Sequence, residues 1–280
     1  MRNEVHGARG HLTAPNPWGL EEFYASALGQ VTRRVLRTRL RALWPELAGQ
    51  DVLGLGHAGP YLRLWRQRAC RLVSAAPAPL GPIAPWPPDG RCASVLVEDG
   101  RLPFADMSFD AVLMVHGLEA AENVRRGLRE AWRVLRPEGM LLAVVPNRRS
   151  IWAHLERTPF GHGHPYTPGQ LHRLLDQNQF QVTRRESALF VPPVRMRPLL
   201  RGARAWEAVG RALAPEFSGV TLIEARKSVA GLIPPLTIAS RPRRALVPAA
   251  RRALASAGPL VAAAREGGEE TQAPERPAGS

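Results

Sequence analysis

Two apolar rhythms run along this chain. Leu28, Val31, Val35, Leu36, Leu40 and Leu43 recur at helical spacing, predicting an amphipathic helix or helix pair over residues 20–44 that stops at Pro45. A short unbroken apolar run follows. DVLGLG, Asp51–Gly56, has the pattern of a buried parallel strand ending in glycine. Residues 61–68 predict a short helix and residues 70–74 a second strand, after which residues 77–90 are too rich in proline and glycine for regular structure. Further strands are expected at Ser94–Val97 and at 110–115, with a helix over 121–136 placing Val124, Leu128, Ala131 and Leu135 on one face. Pro137, Glu138 and Gly139 predict a turn into a strand at 140–145. Thr167 and Pro168 form an N-cap and first-turn pair that opens another helix. The last strands are expected near 180–190 and 220–225.

Strands alternating with helices imply right-handed crossovers and an α/β fold, a largely parallel sheet with helices on both faces. The expected organisation is an N-terminal helical segment over 1–48, a Rossmann-like domain over 49–230, and a tail over 231–280. The last 40 residues have no aromatics and are dominated by Ala, Arg, Pro, Gly and Glu, so disorder is expected there. At 280 residues and 45% hydrophobic content, the chain can bury a sizeable core. No apolar run approaches the ~18 residues of a membrane span. The first residues show no apolar signal region, and Cys70 and Cys92 are too few for a disulfide framework. A cytoplasmic protein is therefore expected.

The formal charge of +14 is carried almost wholly by arginine, Lys227 being the only lysine. Arg33, Arg34, Arg37, Arg39 and Arg41 interleave with the apolar positions of the first helix, which reads as a solvated helix face. The alternative, phosphate tracking on RNA or a membrane, would bring steep salt dependence and loss of binding on charge reversal at Arg33, Arg34 and Arg37.

Candidate chemistry starts at Gly54, Gly56 and Gly59, a G-x-G-x-x-G after the first strand. A dinucleotide site needs an acid about 20 residues further on, and LVSAAPAPLG has none there. The segment 97–147 is more specific. Leu102, Pro103, Phe104, Asp106, Ser108, Phe109 and Asp110 spell L-P-F-x-D-x-S-F-D, and Arg133, Val134, Leu135, Pro137, Gly139 and Leu141 spell R-V-L-x-P-x-G-x-L. This combination resembles the class I S-adenosylmethionine-dependent methyltransferases, particularly the type 11 and quinone-biosynthesis groups, over about half the chain.

The resemblance implies a Rossmann-like, doubly wound, mostly parallel seven-stranded sheet and S-adenosyl-L-methionine as cofactor. It implies a glycine loop (Gly54, Gly56, Gly59) approaching the cofactor's amino-acid portion, and Glu98, with Asp99 beside it, accepting from the adenine amino group. His116, at the end of the fourth strand, is the candidate acid or base. Arg148, Arg149, Arg157, His162, His164 and Tyr166 are candidates for a cationic, aromatic lid over an anionic or phenolic small-molecule acceptor. No metal site is expected, since H-x-H in a Gly/Pro loop is a poor metal signature. Neither nucleic-acid binding nor a transmembrane segment is expected.

The sequence also departs from the family pattern. Gly54 stands where an acid is usual, Ala58 and Pro60 replace glycines, and the second strand ends without a carboxylate. Two readings stay open: a methyltransferase, or a catalytically inactive methyltransferase-like partner protein.

Overall fold

The computed structural model describes residues 19–80, 85–194 and 196–228. The expected 231–280 tail and residues 1–18 of the N-terminal segment lie outside them. Seven strands form one sheet: β1 Asp51–Gly56, β2 Arg71–Pro77, β3 Ser94–Val97, β4 Phe109–Val115, β5 Leu135–Pro146, β6 Phe180–Ala188 and β7 Val220–Lys227. Their spatial order is β3-β2-β1-β4-β5-β7-β6. The first five are parallel, and β7 runs antiparallel to both β5 and β6. The sheet is thus doubly wound and mostly parallel, with one mixed edge.

Near-continuous apolar residues in β1, β4 and β5 reflect cover on both faces. Successive side chains feed opposite cores. Val52, Ala111, Leu113, Leu142 and Val144 pack with the N-terminal helices, while Leu53, Val112, Met114, Leu141 and Ala143 pack with the later ones. The N-terminal pair is α1 (Leu20–Ala25) and α2 (Ala27–Leu43). It breaks at Ser26, whose extended backbone and side-chain cap on Gly29 N start the second helix.

Not all of the α2 arginines form the solvated row the spacing suggested. Arg33 lies 5.5 Å over the Tyr24 ring, and Arg37 donates to Pro60 O at 2.8 Å. These two pin α1 and the loop after β1. Burial, then the neighbouring Arg33 and Arg63, lowers the Arg37 pKa.

Helix α3 (Gly59–Leu62) is shorter than the expected 61–68. Helix α4 (Val124–Val134) is capped by Asn123, and α5 (Pro168–Gln177) starts on a Thr167–Gln170 capping box. The expected turn at Pro137–Gly139 is a bulge inside β5: the register jumps from Phe109↔Leu135 to Ala111↔Met140, with Glu138 at φ +61°. Helices α6 (Arg197–Arg201) and α7 (Ala203–Leu213) were not foreseen, because Gly202, Gly210 and a scatter of alanines blur the period.

The segment carrying the family pattern is a clamp. Arg133 of α4 donates to Leu102 O at 2.9 Å and to Phe104 O at 2.8 Å, and pairs with Glu130 and Asp106. Glu130 in turn accepts from Leu102 N at 2.8 Å. Arg136 bridges Asp51 and Asp110 at the amino ends of β1 and β4. Bidentate and branched arginine contacts of this kind hold geometry that lysine cannot reproduce.

Candidate active site

Strand order reverses between β1 and β4, and at their carboxyl ends this type of sheet opens a crevice. Every residue expected at the cofactor site lies along this edge. Gly54 faces α3: a Cβ there would stand 2.7 Å from Ala58 Cβ and 2.9 Å from Leu62 Cδ1. The acid usual at this position has no space. Gly56, at φ +76°, lets β1 approach β4, since a Cβ would meet Val115 O at 2.3 Å. Gly59 sits under Ser74 Oγ and Trp86, 3.3 and 3.4 Å from where a Cβ would be. Packing accounts for all three glycines.

His116 follows β4 at φ +55°, a left-handed conformation uncommon among non-glycine residues but one that histidine enters more readily than most. Its ring is buried between two partners. Tyr24 Oη lies 2.9 Å from Nε2, and Glu119 Oε1 lies 2.9 Å from Nδ1. Burial, reinforced by Tyr61, holds the Tyr24 pKa well above its ordinary value, so its hydroxyl keeps its proton. Tyr24 therefore donates to Nε2, and Nδ1–H donates to Glu119, an assignment made from the network. Phe160 packs 4.8 Å from the His116 ring. His57 stacks on Tyr24 at 4.7 Å and 13°. Desolvation, then His116 and Arg33, lowers the His57 pKa to about 3, so it is neutral in the physiological range. Burial pushes the Tyr61 phenol up to about 12. His57 Nε2 and Glu119 Oε2 are enclosed and have no hydrogen-bond partner among the described residues.

Glu98 is exposed at the end of β3 and borders a slot of about 40 Å³ lined by Leu55, Pro77, Val97, Leu102, Gly117 and Leu118. Asp99 is engaged elsewhere, its Oδ2 accepting from Glu122 N at 2.9 Å just before α4. Of the two, Glu98 is the carboxyl left available.

The expected lid residues are divided. Arg157 and His162 line a cavity of about 1080 Å³ beside Phe23 and Val194, whereas Arg148, His164 and Tyr166 line another of about 660 Å³. Tyr24, His57 and Glu119 escaped the sequence reading as site residues. His57 falls inside the G-x-G-x-x-G span and Glu119 three residues after His116, but nothing local marks Tyr24, which meets His116 across 92 residues.

Fold and crevice together define a doubly wound methyltransferase-type domain. Residues 53–143 match the family model described as "Methyltransferase domain". A demethylmenaquinone methyltransferase of Corynebacterium glutamicum is 50% identical over 52 residues, 18% of this chain and 23% of that protein. A malonyl-[acyl-carrier protein] O-methyltransferase of Halorhodospira halophila is 33% identical over 118 residues, 37% of this chain and 39% of that one. The chain spans only about a quarter of the length of the first of these relatives. Among solved structures, a methyltransferase dependent on S-adenosylmethionine from Thermotoga maritima superposes with TM-score 0.52 at 16% identity, covering 76% of this chain and 100% of that one. One from Archaeoglobus fulgidus gives 0.50 at 18% identity, with 70% and 94% covered. Over residues 53–143 the chain is thus similar to the methyltransferase family, and its fold is that of the solved methyltransferases.

Members of this family use S-adenosylmethionine as methyl donor. Toward the nucleoside half of that group the structure offers the Glu98 carboxyl at the mouth of an apolar slot, which at about 40 Å³ is too small to hold it as it stands. The residues present do not fit the amino-acid half as they stand, because Gly54 has no room for the usual acid and His57, in the loop after β1, is stacked against Tyr24.

Proposed function

We propose that this chain is a methyltransferase acting on a small-molecule acceptor, with Tyr24 serving as a latch on the crevice. The observation that carries the reading is the buried Tyr24–His116–Glu119 relay on the β4 edge, beside the slot guarded by Glu98. When bound, S-adenosylmethionine supplies an electrophilic methyl group on sulfur. Glu98 would hold the adenine amino group, with Pro77, Leu102 and Leu118 keeping water from it. Closed, Tyr24 satisfies His116 Nε2; withdrawn, it leaves that nitrogen free to take the acceptor's proton, with Glu119 fixing the Nδ1–H tautomer. His116 is then the base and Glu119 a positioning residue.

The cavity of about 1080 Å³ reaches Phe23, which packs 5.9 Å from Phe160 on the His116 side. Its wall carries Arg157 and His162, which would meet an anionic or phenolic acceptor, beside Glu22 and Glu156. The named relatives act on a demethylmenaquinone and on malonyl-[acyl-carrier protein], and because the matched segments cover a minor part of those chains the acceptor does not transfer with them. A cytoplasmic setting is part of the proposal, in keeping with two exposed, unpaired cysteines. No helix among the described residues is long and apolar enough to cross a membrane.

Calorimetric titration with S-adenosylmethionine and S-adenosylhomocysteine tests the reading, with saturable one-site heat expected. The amino-acid end, without room for the usual acid, favours a second reading, a non-catalytic family member acting as a partner protein. Absence of heat and of any thermal shift at millimolar ligand would establish that reading and remove the first.

A further inference from the structure

Helix α7 joins the domain along one narrow edge. Glu207 accepts from Phe190 N at 2.6 Å and Leu189 N at 3.2 Å, and Gly210 lies so close to Phe190 that a Cβ would come within 2.5 Å of it. The face adjoining that edge is turned to solvent and is apolar. Trp206, Val209 and Leu213 follow one another at i, i+3 and i+7 with 38, 51 and 79% of their surface exposed, and Phe217 continues the stripe at 60%. Ala205 and Ala212 adjoin it, and no charge interrupts it within α7; Glu216 is the one exposed acid between Leu213 and Phe217.

On the flank towards α2 the character reverses. Arg34, Arg39, Arg197, Arg201, Arg204 and Arg211 surround a groove of about 910 Å³. Its one acidic lining residue, Glu207, is committed to backbone amides. Among the described residues Arg34, Arg197, Arg201 and Arg204 have no ion-pair partner, and Arg39 and Arg211 have only 4.0 Å contacts.

An apolar stripe carrying tryptophan, flanked by unpaired arginines, is the composition of a helix lying in a lipid–water interface. A phosphate backbone would use the arginines and leave the stripe in water. A second copy, related by a two-fold axis, would bring two strongly basic flanks together. An anionic bilayer satisfies both features at once. We propose that α7 docks this protein on an anionic lipid surface, with Trp206, Val209 and Leu213 at the headgroup–acyl boundary and Arg197, Arg201 and Arg204 on lipid phosphates.

The test is co-sedimentation of the full chain with phosphatidylcholine vesicles, with and without phosphatidylglycerol. Binding is expected only to the anionic vesicles, weakening as salt rises. Trp206→Ser combined with Leu213→Ser, at exposed positions, is expected to lower partitioning about tenfold or more with unchanged circular dichroism. Arg201→Glu with Arg204→Glu is expected to do the same and to flatten the salt dependence. Equal binding to pure phosphatidylcholine, or no binding to either vesicle, would overturn the proposal. So would a Trp206/Leu213 double variant that binds like the wild type, since the contact would then lie elsewhere in the chain. A dimer in sedimentation velocity that Leu213→Ser disperses, or retention of RNA in place of vesicles, would overturn it too.

Discussion

Tyr24→Phe separates the two jobs assigned to this residue. The phenol oxygen is buried and 2.9 Å from His116 Nε2, while the ring keeps its 4.7 Å stack on His57. The substitution therefore removes one hydrogen bond and little packing. In the closed state Nε2 is left buried without a donor, a loss of about 1–3 kcal/mol. In the open state water replaces the hydroxyl, so the whole penalty falls on the closed form. Unfolding in urea should show stability lower by about 1–3 kcal/mol. The open form should gain about 5- to 150-fold in relative population, and the apparent affinity for S-adenosylhomocysteine should tighten by up to the same factor while the open form stays minor. Calorimetric titration of wild type and variant, beside paired urea curves, reads both quantities. Unchanged or weaker affinity accompanied by the stability loss would refute the latch. Unchanged stability would refute the buried bond itself.

Restoring the family's acid by Gly54→Asp should destabilise the fold by about 1–3 kcal/mol without improving cofactor binding, because its Cβ would stand 2.7 Å from Ala58 Cβ; thermal unfolding and titration check this together. Protonation of His57 is suppressed in the folded state, where its pKa is about 3, against about 6.5 in the unfolded chain. Its contribution is thus complete above about pH 6.5 and lost as pH falls towards 3, with a slope of at most about 1.4 kcal/mol per pH unit for one proton; His57→Phe should reduce the measured slope in that window. Arg133→Ala should cost about 2–3 kcal/mol by releasing the 102–106 turn, and Arg133→Lys should recover less than half of it in urea unfolding, since one ammonium cannot serve four acceptors in a fixed fork.

The residues that made the family recognisable are the ones that hold its scaffold. L-P-F-x-D and R-V-L are legible together because Arg133 grips Leu102, Phe104 and Asp106 within about one βα unit of chain, and the Thr167–Gln170 capping box is more local still. Such interactions leave their signature in spacing, and the strand runs and the sheet they build follow from the same short-range periodicity. The sequence alone therefore determined the architecture and the crevice's position. It carried no sign that Tyr24 meets His116, because that bond spans 92 residues and depends on how α1 is carried across the sheet. Nor did it reveal that Gly54 is a packing glycine, since only the approach of α3 removes the room for an acid. The apolar face of α7 was equally hidden: glycines and alanines blur its period, and only the docked neighbours Leu189 and Phe190 decide which face is turned to solvent. Contacts between distant segments are properties of the assembled core, and they alone set which polar atoms are buried, paired or left waiting.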